Sequence, residues 1–375
     1  MRSSSRFSAL GILYGAALRS VDPETAVARA HGRAAPDGIF AVGKAAAGMF
    51  RGARAFAKGA LSLVVLPRGC PAPEAGPRGR VLFASHPEPD RSSLHAAREA
   101  LTFFAGFGPG ETILCLISGG TSSLLCLPRH GVTLSAKRRA VRRLAVSGAS
   151  IVELNRLRSS LSAIKGGGLG LATAARLVTL VLSDVPGDRP SLVGSGPTIR
   201  HWRRDLVRVV GSNVTGREAA AREAARRGWK VSLRARRLSG EAREEGARFA
   251  RAAKRLAPGS VLIAGGETAV RLSSRHGSGG RNLEFALGAA LELDGSGEIA
   301  LLAAGSDGID GSSRAAGAFA DGATIARARR LGLDAERCLC WHDTEKFFQR
   351  LGDLLVTGPT GTNVGDWAFA LRAKG

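Results

Sequence analysis

Two aspartates on a glycine-rich segment, Asp307 and Asp310, have the types and spacing that most suggest chemistry in this 375-residue chain. They follow an apolar run, residues 299–303, that has the length of a buried strand. The intervening glycines let the backbone approach a ligand closely, and carboxylates beside them can hold Mg²⁺ or orient a hydroxyl. The same residues also suit a tight turn with solvated aspartates. This segment alone therefore leaves a ligand site and a simple turn equally open.

A second pair of aspartates, Asp184 and Asp188, follows another apolar run at residues 177–182. A Pro-Gly turn separates the two carboxylates. Two acidic pairs on two strand-end loops suggest a divalent ion that is shared with phosphate oxygens. For each pair, turn formation is again the alternative.

Lys44 stands where an apolar run, residues 39–42, meets a helical pattern. With Gly38 and Gly43 it formally matches the beginning of a P-loop, G-x-x-x-x-G-K. Ala45 replaces the Ser or Thr that would bind Mg²⁺, and the residues between the two glycines are the predicted strand itself. The segment is therefore not a P-loop. A lysine at such a junction can still meet an anion at a helix N-terminus, or it is a surface residue.

Two further segments place hydroxyls, glycines or a guanidinium where a helical pattern begins. The first consists of Ser118, Gly119, Gly120 and Thr121. The second consists of Gly280, Arg281 and Asn282. Hydroxyls at the start of a helix can cap it, and the N–H groups of its first turn can cradle an anion. An arginine between a glycine and a helix start can clamp a phosphate or a carboxylate.

No segment carries a dinucleotide-binding fingerprint in the right context. Residues 295–300 fit G-x-G-x-x-A but precede a strand, and residues 166–170 lack the third spacing. His86, in a proline-rich turn, is either an acid/base or a structural residue. Without a positioned partner the structural role is favoured.

Strand-length apolar runs alternate with helical patterns, which predicts an α/β fold with a largely parallel sheet. In such sheets ligands bind at the carboxyl ends of strands, where most of the glycine-rich segments fall. A helical pattern ends at residues 257–259, before a new strand. We therefore predict two domains, residues 1–255 and 258–375. An apolar stretch at residues 10–18 is interpreted as a first helix and not as a removed signal.

The composition bounds the classes of function. The formal net charge is +23, which invites a nucleic-acid interpretation, but no basic tail, RNA-binding aromatic motif or zinc-finger spacing accompanies it. Abundant Arg, Ala and Gly suggest a GC-rich genome instead. We expect no nucleic-acid partner, and no membrane partner because no apolar run is long enough to span a bilayer. Five cysteines without a C-x-x-C pair suit a cytoplasmic location.

Taken in order, the motifs resemble those of the MOFRL-type glycerate 2-kinases, some of which are labelled hydroxypyruvate reductases. The resemblance covers nearly the whole chain, and the shared order of many short motifs argues against a chance match. The segments that carry it are 42–45, 85–90, 118–120, 161–167, 183–188, 195–198, 240–244, 265–268, 279–282, 307–311, 316–318 and 357–364.

The resemblance implies a Rossmann-like N-terminal domain (DUF4147-like), a smaller α/β MOFRL domain and an active site in the cleft between them. It implies ATP- and Mg²⁺-dependent phosphorylation of D-glycerate to 2-phosphoglycerate. Lys44 and Arg281 match the family's catalytic basic residues, which would stabilise phosphate or hold the glycerate carboxylate. Asp307 would orient or deprotonate the substrate hydroxyl. Asp184 and Asp188 would hold Mg²⁺, directly or through water.

The resemblance also implies a wider set of substrate- or phosphate-binding residues. They are Ser118, Gly119, Gly120, Thr121, Arg158, Lys165, Gly280, Asn282 and Asp310, the last in a supporting role. The chain departs from the family at Ser159, Ser160, Gly168 and Leu283, and by lacking a segment after Thr198.

Two other functions stay open from the sequence. One is an NAD(P)H-dependent hydroxypyruvate reductase, against which the absent fingerprint counts. The other is a catalytically weakened family member that binds a ligand. Either a monomer or a homodimer is compatible with the sequence.

Overall fold

Apolar segments and amphipathic patterns form 12 strands and 13 α-helices in the part of the chain described by the computed structural model, namely residues 3–30, 35–148, 151–200, 202, 204–272 and 274–374. The strands are β1 (Gly38–Val42), β2 (Leu61–Pro67), β3 (Gly79–Ala84), β4 (Thr112–Ile117), β5 (Arg176–Ser183), β6 (Leu206–Ser212), β7 (Lys230–Leu233), β8 (Ser260–Gly266), β9 (Ile299–Gly305), β10 (Gly317–Asp321), β11 (Leu354–Leu355) and β12 (Asp366–Arg372). The helices are α1 (Ser3–Ser20), α2 (Pro23–Ala30), α3 (Ala46–Arg54), α4 (Arg91–Ala105), α5 (Thr121–Leu124), α6 (Leu134–Val146), α7 (Ile151–Ser160), α8 (Asn213–Arg226), α9 (Ala242–Lys254), α10 (Arg281–Leu293), α11 (Thr324–Arg330), α12 (Ala335–Cys340) and α13 (Thr344–Leu351).

The chain divides into two compact units, each built on one six-stranded sheet. The parallel-sheet unit comprises Val21–Ser212 and the short segment Gly361–Val364. The mixed-sheet unit comprises the chain up to Ser20, Asn213–Thr360 and the chain from Gly365 onward. Both are α/β, as the sequence predicted.

The parallel-sheet unit has the strand order β3-β2-β1-β4-β5-β6, with every neighbouring pair parallel. This is the order of doubly wound dinucleotide-binding sheets, in which the order of the strands reverses between β1 and β4. β1 is buried along its whole length, which explains its continuous apolar run. The aromatic ring of Phe40 on β1 packs against that of Phe104 on α4, with centroids 5.2 Å apart. Ligands of such sheets bind at the carboxyl ends of the strands beside the reversal.

The mixed-sheet unit has the strand order β11-β10-β9-β12-β8-β7, in which only β7 and β8 pair in parallel. The sequence predicted a largely parallel sheet, which holds for the first unit only. A single loop joins β9 to β10, and this short connection allows antiparallel pairing. The predicted first helix is present as α1. Its side chains Leu10, Leu13 and Tyr14 are buried, and it packs on α8 and β9 of the same unit.

Residues 213–255, which were predicted to belong to the first domain, supply α8, β7 and α9 to the mixed-sheet unit. The boundary of the family domains at residues 255–258 stays a prediction. The cysteines are free thiols. Within the described residues, no helix is long and apolar enough to cross a bilayer.

Candidate active site

Two strand-end turns of the parallel-sheet unit are joined at the point where the strand order reverses. The N–H of Lys44, after β1, donates to the carbonyl of Gly119, after β4, at 2.8 Å. The next N–H, of Ala45, donates to the Ser118 hydroxyl oxygen at 3.1 Å. The backbone of residues 44 and 45 is therefore held by two hydrogen bonds to the turn after β4. The predicted residues Lys44, Ser118 and Gly119 are brought together.

Two positions in these turns require glycine because a side chain would not fit there. Gly43 adopts φ +125°, and a side chain there would clash with the Ser118 hydroxyl. Gly119 carries no side chain because a Cβ would clash with the carboxylate of Asp184, which follows β5. The double glycine therefore admits a carboxylate against its backbone. The predicted approach of an anionic ligand to the same turn stays a prediction.

Lys44, Asp184 and His86 form one electrostatic cluster. Burial raises the pKa of Asp184, and the Lys44 ammonium acts against this shift. Burial and Lys44 together lower the pKa of His86, which is therefore neutral at neutral pH. His86 Nε2 and Lys44 Cγ each lie 3.3 Å from the position that a Gly120 Cβ would occupy. The sequence left the role of His86 open, and the structure places it beside Lys44.

The hydroxyls of the predicted anion cradle bond to the protein itself. Thr121 Oγ1 donates to the carbonyl of Ser118 at 2.8 Å and lies 3.2 Å from that of Val42. The helix that begins here, α5, has only four residues and no side-chain cap. Ser118 and Thr121 thus hold the turn after β4 in place, and a direct contact with phosphate stays a prediction.

The two predicted metal ligands differ in their surroundings. Asp184 is a partly buried carboxylate beside Lys44, and its raised pKa indicates that a further cation would stabilise its charged form. Asp188 lies in the turn Pro186–Asp188 with φ 49°. In the described ranges no three His, Cys, Asp or Glu side chains are grouped to hold a metal. Mg²⁺ commonly uses one or two carboxylates with phosphate and water, so Asp184 fits such an ion.

Lys165 and Arg158 lie in the same unit and line one cavity. The Lys165 ammonium is buried and donates to the carbonyl and hydroxyl oxygens of Ser122, at 3.2 and 3.0 Å, and to the carbonyl of Gly194, at 3.3 Å. Burial and neighbouring cations lower the pKa of Lys165 to about 7. Arg158 is half-buried and donates to the Asn155 side chain at 3.4 Å.

Arg281 is the first residue of α10, and two carboxylates hold its guanidinium in the mixed-sheet unit. Asp366, at the start of β12, accepts from Nε at 2.6 Å and from Nη2 at 2.9 Å. Glu267, after β8, lies 3.0 Å from Nη1. Burial acts to lower the pKa of Arg281, but these carboxylates and Asp310 raise it. Asp366 was not predicted as a site residue, because its only signal in the sequence is an acid at the edge of an apolar run.

Asp310 caps the helix that Arg281 begins. Its carboxylate accepts from the backbone N–H groups of Asn282, at 3.0 Å, and Leu283, at 2.8 Å. It also accepts from the Asn282 side chain at 3.1 Å. Asp310 and Asn282 are both buried, so this network positions the start of α10. Any contact of either residue with substrate stays a prediction.

Titration of the Asp310 cap should make the free energy of unfolding depend on pH. Burial raises the pKa of Asp310 to about 7, from 3.8, although its hydrogen bonds act to lower it. Between these values the folded state holds a proton that the unfolded state releases, so the free energy of unfolding should fall as the pH rises through this window. Asp310→Asn should remove that component. It should also cost about 1–3 kcal/mol at low pH, because the two N–H groups bond to different carboxylate oxygens and the NH2 group that replaces one of them cannot accept a hydrogen bond.

Urea unfolding of the wild type and Asp310→Asn at several pH values tests this. The stability gap between the two proteins should narrow as the pH rises from 4 to 7. A gap that is constant over this range would show that Asp310 does not titrate there.

Asp307 lies at the end of β9, partly buried. Its carboxylate accepts weakly from the N–H of Ile309, at 3.4 Å, and its carbonyl accepts from the N–H of Thr360 at 3.2 Å. Tyr14 of α1 donates to the carbonyl of Gly305 at 2.9 Å, two residues before Asp307. Burial and the Asp307 charge raise the pKa of Tyr14. The two aspartates of this segment thus differ: Asp310 is a buried helix cap, and Asp307 is a more accessible carboxylate.

Comparisons with known proteins agree with this architecture. The model of a domain of unknown function, DUF4147, matches residues 9–213, and that of the MOFRL family matches residues 260–366. A protein of Agrobacterium vitis labelled hydroxypyruvate reductase is 38% identical, over 94% of this chain and 92% of its own. A glycerate 2-kinase of Pyrococcus horikoshii is 33% identical over 78% of each chain.

A solved structure shares the whole fold. The crystal structure of glycerate kinase from Thermotoga maritima superposes with a TM-score of 0.89 at 31% identity, covering 99% of this chain and 100% of that one. These findings confirm the predicted two-domain α/β class and the predicted enzyme class, a kinase. The chain belongs to the MOFRL-type glycerate 2-kinase family.

Proposed function

We propose that the protein transfers the γ-phosphoryl group of ATP to the 2-hydroxyl of D-glycerate, or of a related small hydroxy acid, and forms 2-phosphoglycerate. The observation that carries this proposal is the cluster of Lys44 and Asp184 at the carboxyl ends of β1 and β5, beside the reversal of strand order. A doubly wound sheet binds ligands there, and relatives of the chain are named glycerate kinases.

Lys44 is assigned to the phosphate groups. In phosphoryl transfer the protein mainly positions the reactants and neutralises charge on the transferred group. A cation whose backbone is already fixed does this without reorganising during the reaction. The hydrogen bonds that hold residues 44 and 45 against the turn after β4 supply this fixation.

Arg281 is assigned to a phosphate group or to the glycerate carboxylate. Its ion pairs use three of the five guanidinium N–H groups. The other two are available, among the described residues, to donate to an oxyanion. Asp366 thus fixes the orientation of Arg281 and lowers the cost of ordering it on binding. Asp307, the more accessible acid, is assigned to orient or deprotonate the substrate hydroxyl.

Asp184 would hold Mg²⁺, with Asp188 as a second ligand in this proposal, and the ion would neutralise charge on the phosphate oxygens. The position of the Asp184 carboxylate, against Gly119 at the carboxyl end of β5 and beside Lys44, supports this role. No equivalent observation supports Asp188.

The strand order also favours a second candidate, an NAD(P)H-dependent hydroxypyruvate reductase. Sheets of this order bind dinucleotides when the first turn carries G-x-G-x-x-G. In the turn after β1, Gly43 and Gly48 stand at the positions of the first and third glycines, but Ala45 stands at the position of the second. We therefore favour the kinase.

One assay separates the two functions. Purified protein is incubated with D-glycerate, ATP and Mg²⁺, and ADP is measured directly, because an NADH-linked assay would respond to a reductase as well. Enolase without phosphoglycerate mutase then reports 2-phosphoglycerate alone. We expect ADP and 2-phosphoglycerate in equal amounts. NADH oxidation with hydroxypyruvate, without ADP release from glycerate, would contradict the kinase.

A further inference from the structure

A cavity of about 400 Å³ lies in the parallel-sheet unit against α6 and α7. Basic side chains dominate its wall: Lys137, Arg138, Arg139, Arg142, Arg158 and Lys165. Among the described residues of the wall, Glu88 is the one acid, and it pairs with Arg138. The other five cations form no ion pair with a described residue. The wall therefore carries an excess of positive charge that an anionic ligand would balance.

Lys137 is the most unusual member of this wall. It is only 3% exposed, and its ammonium has no hydrogen-bond partner in the described part of the chain. A buried cation without a partner is costly, so proteins rarely keep one without a ligand or counter-ion. Lys165 lies close enough to interact with Lys137, but its three hydrogen bonds are all to neutral oxygens. No carboxylate of a described residue forms an ion pair with either lysine.

We propose that this cavity binds a phosphate group, with Lys137 as its buried anchoring cation and Lys165 and Arg158 as further contacts. A phosphate carries up to two negative charges and several acceptor oxygens, which matches several cations better than the single charge of a carboxylate does. Arginine guanidinium groups suit phosphate geometry in particular. The hydroxyls of Ser122 and Ser123 also line the cavity and add neutral hydrogen-bonding groups.

Burial makes the charged forms of the two lysines unfavourable. Burial lowers the pKa of Lys137, and burial together with Lys137 lowers that of Lys165. Removal from water disfavours the charged ammonium in both cases. A phosphate between them would favour the charged forms and remove the repulsion between them.

The identity of the phosphate compound that binds here rests on the proposed kinase function. The existence of the site does not. The cavity is larger than a free phosphate ion needs, so a phosphate ester is expected. That ester is either the nucleotide or the phosphorylated hydroxy acid. Both share the chemistry that the cavity would recognise, and binding measurements distinguish them.

Isothermal titration calorimetry at fixed ionic strength tests the site without turnover. Wild type, Lys137→Met and Lys58→Gln are titrated with a non-hydrolysable ATP analogue, 2-phosphoglycerate, inorganic phosphate and D-glycerate. Lys58 is an exposed lysine of the same unit outside the cavity wall. We expect Lys137→Met to weaken one phosphate ester by about tenfold or more. Lys58→Gln should leave all affinities near the wild-type values. The ester that is weakened identifies the source of the phosphate.

The thermal unfolding of Lys137→Met provides a second measurement. Methionine has a similar shape without the buried charge, so the melting temperature should be equal to or higher than that of the wild type. Should the variant fail to fold, Arg142→Gln, an exposed position on the same wall, should weaken the same ester to a smaller extent.

Three results would overturn the proposal. The first is a folded Lys137→Met protein that binds every phosphate ligand with wild-type affinity. The second is a wild type that binds none of the phosphate ligands. The third is a Lys137→Met protein in which only the binding of D-glycerate is weakened. Phosphate binding without ADP formation would contradict the kinase function and leave this site in place.

Discussion

Replacing Lys44 with methionine should lower kcat for phosphoryl transfer by about 10²–10³-fold. Methionine keeps most of the stem that packs beside Gly120 and removes only the ammonium. The backbone hydrogen bonds of residues 44 and 45 do not depend on the side chain, so the fold should persist. Initial rates of ADP formation at saturating ATP and D-glycerate measure the effect.

Lys58→Met is the matched control, because it removes an exposed lysine from the same unit. It should keep wild-type kcat and KM. A Lys44→Met protein with wild-type kcat and a raised KM for ATP would mean that Lys44 binds the ground state only. Unchanged kcat and KM would remove Lys44 from the site.

The sequence was sufficient to predict that the residues of the Lys44 cluster lie at one edge of the sheet. Lys44, Gly119 and Asp184 each follow a continuous apolar run, and such runs are typical of buried parallel strands. Parallel strands deliver their carboxyl ends to one edge of the sheet, so local patterns determine a shared location. The order of the strands was not predictable in the same way. It places β1 and β4 side by side, and it depends on packing of the whole unit.

Side chains that act through long-range partners were the ones missed. Asp366 is separated from Arg281 by 85 residues, and nothing local to either residue indicates the ion pair. Lys137 belongs to a basic run that resembles a solvated helix face, and only the tertiary structure buries it. Asp310 was recognised as important, but its role as a helix cap depends on N–H groups 27 and 28 residues away.

Arg281→Met should reduce both activity and stability. We expect kcat to fall by about 10²-fold or more, through loss of a guanidinium that is assigned to an oxyanion. We also expect the free energy of unfolding to fall by about 3 kcal/mol, because Asp366 becomes a buried carboxylate without its partner. Its side chain is only 2% exposed, so solvent cannot replace the arginine. Urea unfolding and initial rates give the two quantities.

The double variant Arg281→Met/Asp366→Asn separates the two effects. Neutralising Asp366 removes the uncompensated charge, so much of the lost stability should return. Activity should not return, since the donor to the oxyanion is still missing. Glu267→Gln is the control, because it removes the more exposed ion pair of Arg281. The Glu267 side chain is 53% exposed. It should change stability by less than about 1 kcal/mol. Recovery of turnover in the double variant would show that Arg281 serves only to neutralise Asp366, and would assign the anion-binding role in the mixed-sheet unit to another residue.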